Sequence, residues 1–470
     1  MKDNLLERLQ SGKPLSLKQL ILMTVNLSIP AIMARMTSVA MQYIDASMVG
    51  SVGSEAAAAI GLVSSTTWLL TGITVAAGMG FTVQIAQRLG GGEGGKARSL
   101  VRHGLAAVLI FSLVLGGGGA AISGSLPLWL GGSEGIIRDA SLYFLIFSAA
   151  IPLFAVNFTA SSMIQASGNM KIPSVLNIMT CFLDVAFNAV MIFPQLQINM
   201  AGQQLVIKGA GMGVAGAAAG TLLAMAVSCL AMTGYLLFVS EDLKLRKDDR
   251  KYPIIPELKE PLRLAVPMAF EEFVIGSAYV AFTRIVSPLG TVALAANSFA
   301  ITAEGLCYMP GYGIANAASA LIGQSVGAGR PDLARRLGWV NAFLGMGIMM
   351  ITGALMYAFA PEMIGLLSQD PEVIAAGTSI LRIEAFAEPF FAAGIVIAGI
   401  FRGAGNTLLP SLVNFVSMWA VRIPAAALLA SSYGIKGVWA AMCAELCIRG
   451  IMFAVFLIRG GRTMYMKKAA

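Results

Sequence analysis

The chain has 470 residues, of which 57% are hydrophobic and only 12% charged, with a formal net charge of +8 and a mean hydropathy of +0.78. Ordinary soluble domains carry roughly 25% charged residues, and so few polar side chains cannot cover so large an apolar fraction in water. A soluble globular enzyme is excluded, and the solvent of most of this surface is lipid.

A helical span takes about 20 apolar residues. Runs of that kind fall, in chain order, at 17–48, 55–86, 100–125, 138–162, 171–195, 211–239, 259–287, 291–323, 337–361, 372–402, 408–431 and 435–458. They predict an all-α integral membrane protein with twelve transmembrane helices. The runs are continuous and rich in Ala, Leu, Met and Gly, whereas the strands of a membrane barrel would be short and alternating. The charged segment from Met1 to Lys18 has no small-residue cleavage site after a short apolar core, so no removable signal peptide is expected.

Most of the 32 basic residues fall in the N-terminal tail, the even-to-odd loops and the C-terminal tail; one loop alone holds Arg88, Lys96, Arg98 and Arg102. The opposite side holds Arg138, Lys208 and Lys436. Cytoplasmic loops carry the excess of Lys and Arg, so both termini are expected in the cytoplasm of a multi-pass protein of the plasma (inner) membrane. Topology thus accounts for the net charge without nucleic acid as a partner, and anionic lipid headgroups are a natural contact. The five cysteines, Cys181, Cys229, Cys307, Cys443 and Cys447, all lie in apolar runs, which predicts packing and not a disulfide framework. His103 is the single histidine, so a histidine-based metal centre or catalytic dyad is ruled out by count.

The chain repeats itself in one register. Residues 30–177 fall on 267–414 without a gap: Pro30 on Pro267, Gly53 on Gly290, Gln87 on Gln324, Gly90 on Gly327 and Pro152 on Pro389. Gly168, Asn169, Pro173, Ser174 and Asn177 fall on Gly405, Asn406, Pro410, Ser411 and Asn414. Rare Pro, Gln and Asn coinciding in one register point to duplication. Six spans per half is an even number, so the halves enter the membrane in the same direction, as a parallel repeat, with substrate expected between them. The expected division is a first lobe 1–239, a linker 240–263 and a second lobe 264–470. The linker carries Lys244, Arg246, Lys247, Asp248, Asp249, Arg250 and Lys251 before Pro253 and Pro256.

These pieces, taken with Tyr43-Ile44-Asp45 near the end of the first helix, Gly323-Gln324 with Gly327-Ala328-Gly329 closing the eighth, and Arg402-Gly403-Ala404-Gly405-Asn406 before Pro410, resemble the multidrug and toxic compound extrusion (MATE) family over nearly the whole chain. The resemblance implies export of amphiphilic, often cationic compounds by antiport with H+ or Na+, with no cofactor. One branch of the family couples through the N-terminal lobe. Asp45, Asp184, Asn157 and Thr221 match its helix-1 Asp, helix-5 Asp, helix-4 Asn and helix-6 Thr. Where that branch carries Asn one turn before the helix-5 Asp, this chain has Thr180, with Asn177 and Asn188 on the same stripe, which leaves H+ and Na+ at Asp45 and Asp184 both open. The other branch's Glu in helix 7 and Asp in helix 10 are replaced by Ile275 and Phe391.

The residues themselves carry a parallel argument. A charged carboxylate at membrane depth costs about 2.5–3.5 kcal/mol, so each one calls for a function. Ser38, Gln42 and Asp45 share one helix face, as do Asn177, Thr180, Asp184 and Asn188. Two such stripes can converge to take up a cation. At 100 mV one charge crossing supplies about 2.3 kcal/mol, roughly fifty-fold accumulation. The register partners of Asp45 and Asp184 are Phe282 and Val421, while the second lobe has its own acids: Glu271, Glu272, Glu304, Glu384 and Glu388. With Gln42 these are candidates for attracting a cationic substrate. Glu445 and Arg449 are expected to pair along one helix, and Arg35 to pair across helices. Gly90 to Lys96 falls one residue short of a phosphate-binding loop, with Ala97 where Ser or Thr is required, so no nucleotide is expected. The rival reading is a flippase for lipid-linked precursors, whose cavity would be basic where this one is acidic.

Overall fold

The computed structural model describes residues 15–132, 134–200, 203–246 and 253–460. The charged tail around Lys2 and Asp3, and the linker residues Lys247, Asp248, Asp249, Arg250 and Lys251, lie outside the described residues.

The first six spans are α1 (Leu17–Val52), α2 (Ser54–Gly90), α3 (Gly94–Ile122), α4 (Glu134–Ala166), α5 (Lys171–Ile192) and α6 (Gly213–Gly234). α1 begins with a capping box, in which the Ser16 hydroxyl accepts from the Gln19 amide while the Gln19 side chain accepts from the Ser16 amide. The second six are α7 (Ile254–Val286), α8 (Thr291–Gly327), α9 (Pro331–Ala358), α10 in two pieces (Pro371–Glu384 and Glu388–Gly403), α11 (408–433) and α12 (435–460). The run Leu408–Gly460 has 53 residues, about 80 Å at a rise of 1.5 Å per residue, against a hydrocarbon thickness near 30 Å. It divides at Gly434, whose φ of 57° and ψ of −141° suit glycine alone. There the chain reverses so tightly that a Cβ on Gly437 would strike the Leu429 carbonyl. Twelve spans result among the described residues.

Two features depart from the apolar runs. α10 bends by 59° at its break, which falls between Glu384 and Glu388. α5 stops at Ile192, short of the expected 195, and the chain forms an antiparallel hairpin of β1 (Gln195–Met200) and β2 (Gln203–Lys208), paired from Gln195 with Lys208 to Met200 with Gln203. Polar Gln195, Gln197 and Asn199 alternate there with Leu196, Ile198 and Met200, the period of a strand.

Packing obeys the repeat. In the first lobe α1 packs on α5, α2 on α4, α3 on α4, α4 on α6 and α5 on α6; in the second, α7 packs on α11, α8 on α10, α9 on α10, and α10 on α12. The lobes meet through the reciprocal pairs α1 with α8 and α2 with α7, and through α2 with α8. At the basic end α2 and α8 cross so closely that a Cβ on Gly90 would strike the backbone of Gln324, and one on Gly327 the backbone of Gln87. The two glutamines then reach into opposite lobes: Gln87 Nε2 donates to the Gly403 carbonyl at 3.2 Å and Gln324 Nε2 to the Ala166 carbonyl at 2.7 Å. Gly403 and Ala166 are themselves register partners, each near the last turn of its helix. Gly80 against the Pro261 carbonyl and Gly313 against Ile32 extend the seal toward mid-span.

At the other end of the same four helices a Cβ on Gly50, Gly53, Gly61 or Gly290 would meet nothing within 4 Å. The lobes are therefore sealed against each other at the end bearing the basic loops. The linker is tied to the first lobe at its exit: Glu257, in the first turn of α7, accepts from Ser99 at 2.8 Å and lies 2.7 Å from His103 Nδ1, both on α3.

Candidate functional site

Asp45 and Asp184 come together as the two stripes predict. Asn188, one turn beyond Asp184 on α5, donates its amide to both, to Asp45 Oδ1 at 3.1 Å and to Asp184 Oδ2 at 3.1 Å. The two carboxyl groups are electrostatic neighbours, and Thr221 of α6 lies beside Asp184. α6 comes this near because position 220 is glycine: a Cβ there would fall on Asn188 Oδ1 and crowd its backbone. Asp184 is 1% exposed, yet its Oδ1 and the Oδ1 of Asn188 have no hydrogen-bond partner among the described residues. Two orphaned oxygens, beside a carboxylate and a hydroxyl, form a set of hard oxygen donors suited to a monovalent cation.

The remaining sequence candidates divide into a neighbouring group and outliers. Thr180, one turn before Asp184, donates to the Leu176 carbonyl and pairs with Ser228 of α6 at 2.7 Å; Ser228 in turn donates to Asn157 Oδ1 at 3.3 Å. Asn157 Nδ2 points to the Met225 sulfur at 3.4 Å. This chain of neutral polar groups joins α4, α5 and α6 directly below the aspartates. Asn177 makes no hydrogen bond to the pair, and Gln42 lies exposed on α1. Sequence reasoning missed Ser228 and also Tyr143 of α4, an electrostatic neighbour of both aspartates. Ser228 stands seven residues after Thr221, on the same helix face, which was the available signal.

The second lobe uses its acids in three ways. Glu271 is saturated: Arg402 lies 2.6 Å from Oε1, Asn414 donates at 2.6 Å and Ser411 at 3.1 Å. Glu445 is held between Arg422 at 2.6 Å and Arg449 at 3.2 Å, so the expected pair along α12 is one side of a buried triad. Glu384 and Glu388, each 1% exposed and flanking the α10 break, keep all four carboxyl oxygens without a hydrogen-bond partner among the described residues, and Glu304 of α8 is their electrostatic neighbour. Glu272 stands apart on α7, facing α2 across the lobe boundary, where a Cβ on Gly72 would lie 3.1 Å from its own. Arg35 corrects one expectation. It has no hydrogen bond or ion pair among the described residues, and Tyr312 of α8 is its electrostatic neighbour. All five cysteines are free.

Comparison with known proteins gives a consistent picture. The sequence profile of the MatE family matches residues 30–190 and 267–428. A protein of Thermotoga maritima named as a probable multidrug resistance protein, NorM, is 27% identical over 447 residues, covering 93% of this chain and 92% of its own length. A probable multidrug resistance protein of Bacillus subtilis, YpnP, is 26% identical and is matched over 90% of each chain. Among solved structures, a MATE protein in complex with MaL6 superposes with a TM-score of 0.88 at 19% identity, over 97% of this chain and 98% of the other. A MATE-family transporter described in an outward-facing conformation superposes with a TM-score of 0.86 at 19% identity, over 94% and 96%.

Proposed function

The chain belongs to the MatE family, whose members are membrane transporters and not enzymes, and from that premise we propose that it exports amphiphilic, mainly cationic compounds in exchange for H+ or Na+ bound at Asp45 and Asp184. It is a multi-pass membrane protein of the multidrug efflux type. The observation that carries the coupling is the pair of aspartates from different helices sharing one Asn188 amide beside two orphaned oxygens. Two carboxyl groups this close favour one shared proton over two charges, and the same oxygens offer ligands to Na+. Asn157, Thr180 and Ser228 keep α4, α5 and α6 in place under the site, so that uptake of the cation is felt by three helices at once.

Transport by alternating access follows from the two-lobe construction. The lobes rock about the α1–α8 and α2–α7 contacts, with the glutamine clasp closed in one state and broken in the other. The positive-inside asymmetry supports a plasma-membrane setting with the sealed end in the cytoplasm, so the cleft opens outward. Glu272 on the cleft wall attracts the cationic substrate, with Glu304, Glu384 and Glu388 buried behind it in the second lobe.

The test uses purified protein in proteoliposomes with a fluorescent lipophilic cation, under a pH gradient and a Na+ gradient applied separately. Movement is expected under one of them and is expected to fall at least about tenfold in Asp184→Asn, the change lost with one coupled carboxylate. Wild-type rates in that variant would overturn the coupling site. Movement under neither gradient would overturn the antiporter reading and make lipid-linked precursors the next substrates to try.

A further inference from the structure

The register that relates the two lobes pairs Arg35 with Glu272, so equivalent positions on the two cleft walls carry opposite charge. Both lie at the middle of their helices, Arg35 in Leu17–Val52 and Glu272 in Glu257–Leu289, as do the groups they face across the lobe boundary, Tyr312 in Thr291–Gly327 and Gly72 in Glu55–Gly90. Four mid-span positions on the four helices that join the lobes mark the bilayer midplane of the cleft. The space is open there. Tyr312 exposes 37% of its surface although α8 is ringed by α1, α2, α9 and α10, and Gly276, one turn above Glu272, faces nothing. Tyr312 of α8 stands near both walls, an electrostatic neighbour of Arg35 and, among other groups, of Glu272. Above them the walls continue in register with Gln42 on α1 and Tyr279, 41% exposed, on α7.

A guanidinium at mid-membrane with no carboxylate partner among the described residues is as costly as a lone acid there, and it presents five donors in a fork that fits a carboxylate or phosphate. The other buried guanidinium groups of the second lobe, Arg402, Arg422 and Arg449, each have a carboxylate partner in Glu271 or Glu445. We propose that the cleft is a bipolar subsite for dipolar amphiphiles, with Arg35 taking the anionic group and Glu272 the cationic one. The proposal rests on the exporter reading and sharpens its substrate class: compounds carrying both an amine and a carboxylate or phosphate are bound better than simple cations of the same shape. The same chemistry describes a zwitterionic lipid headgroup as well as a free dipolar compound.

A matched pair of xanthene dyes, one with a free carboxylate and one with that carboxylate ethyl-esterified, isolates the anionic half. Binding to the purified full chain is followed by fluorescence polarisation. The affinity ratio of carboxylate to ester is expected to drop about tenfold in Arg35→Gln, the worth of one desolvated bidentate contact, and to drop less in Arg35→Lys, which keeps the charge but not the fork. The exchange of Arg35→Glu with Glu272→Arg in one chain restores the ratio, because the ligand can turn around. An Arg35→Gln ratio equal to that of wild type overturns the subsite, as does an equal loss for both dyes. Gradient-driven movement of the ester alongside an unchanged ratio rejects the subsite and leaves the exporter standing; a shifted ratio without gradient-driven movement of either dye does the reverse. Displacement of the carboxylate dye by a short-chain phosphocholine, dependent on Arg35, identifies the headgroup as the occupant, and its absence identifies the free compound.

Discussion

At the scale of single residues, Asn188 is the pivot of the proposed coupling site. Its amide is the donor common to Asp45 and Asp184, so Asn188→Ala removes the bond that holds α1 to α5 at this point and leaves two carboxyl groups to repel each other when ionised. Gradient-driven exchange in proteoliposomes is expected to fall with Asn188→Ala as it does with Asp184→Asn, while the far smaller change Gly220→Ala is expected to act through packing. The added methyl lands on Asn188 Oδ1 and its backbone; overpacking of this kind costs about 1–3 kcal/mol, which thermal melting in detergent would register as a lower Tm. An unchanged Tm together with unchanged exchange would mean that α6 does not press on the site. The aspartates and Asn188 could be found in the sequence because charge at membrane depth is rare and the 3–4 spacing names the face. Ser228 and Tyr143 could not, since a serine and a tyrosine in an apolar helix are common and only the packing of α4, α5 and α6 makes them neighbours.

At the scale of elements, hydropathy located the spans and even the division at Gly434, where the expected runs 408–431 and 435–458 leave a gap that the backbone turn fills. It passed over the break in α10, because an apolar run reads the same whether straight or bent and the signal there is only a pair of glutamates four residues apart. It also passed over the hairpin of β1 and β2, whose alternating pattern sits next to a span and is easily read as its end. Two elements invite direct tests. Replacing Glu445 by Gln leaves Arg422 and Arg449 buried without their shared carboxylate, and breaking a buried pair in this way typically costs about 3–5 kcal/mol. A large drop in Tm is expected for Glu445→Gln, with the coupling ion unchanged in whatever activity persists. Gly434→Leu forces a side chain into a backbone conformation that costs about 1–3 kcal/mol, and a Tm within error of wild type would show that the reversal between α11 and α12 is made elsewhere.

At the scale of the whole molecule, the sealed end is held by two reciprocal hydrogen bonds and the glycine crossing beneath them. Replacing both Gln87 and Gln324 with alanine removes about 0.5–1.5 kcal/mol per bond, and the summed effect is enough to change the ratio of sealed to unsealed molecules several-fold. Spin labels placed on the loops after α2 and α8 are expected to report a wider distance distribution at that end in the double variant, and a distribution identical to wild type would mean that the glycine crossing alone carries the seal. The two-lobe plan was legible because rare residues repeat in one register; the sealed end was not, since hydropathy is the same in every state of such a machine.

The clasp has one more consequence. Gln87 meets Gly403 while Gln324 meets Ala166, and each of these is the register partner of the other, which is the rule of an isologous interface between identical subunits. The sealed end therefore keeps the geometry of a homodimer in which two six-helix protomers enter the membrane side by side. In such an ancestor a two-fold axis would have forced the midplane residues to match, arginine facing arginine or glutamate facing glutamate. Joining the protomers into one chain removed that constraint, and Arg35 opposite Glu272 is a pairing of walls that only the fused molecule can possess.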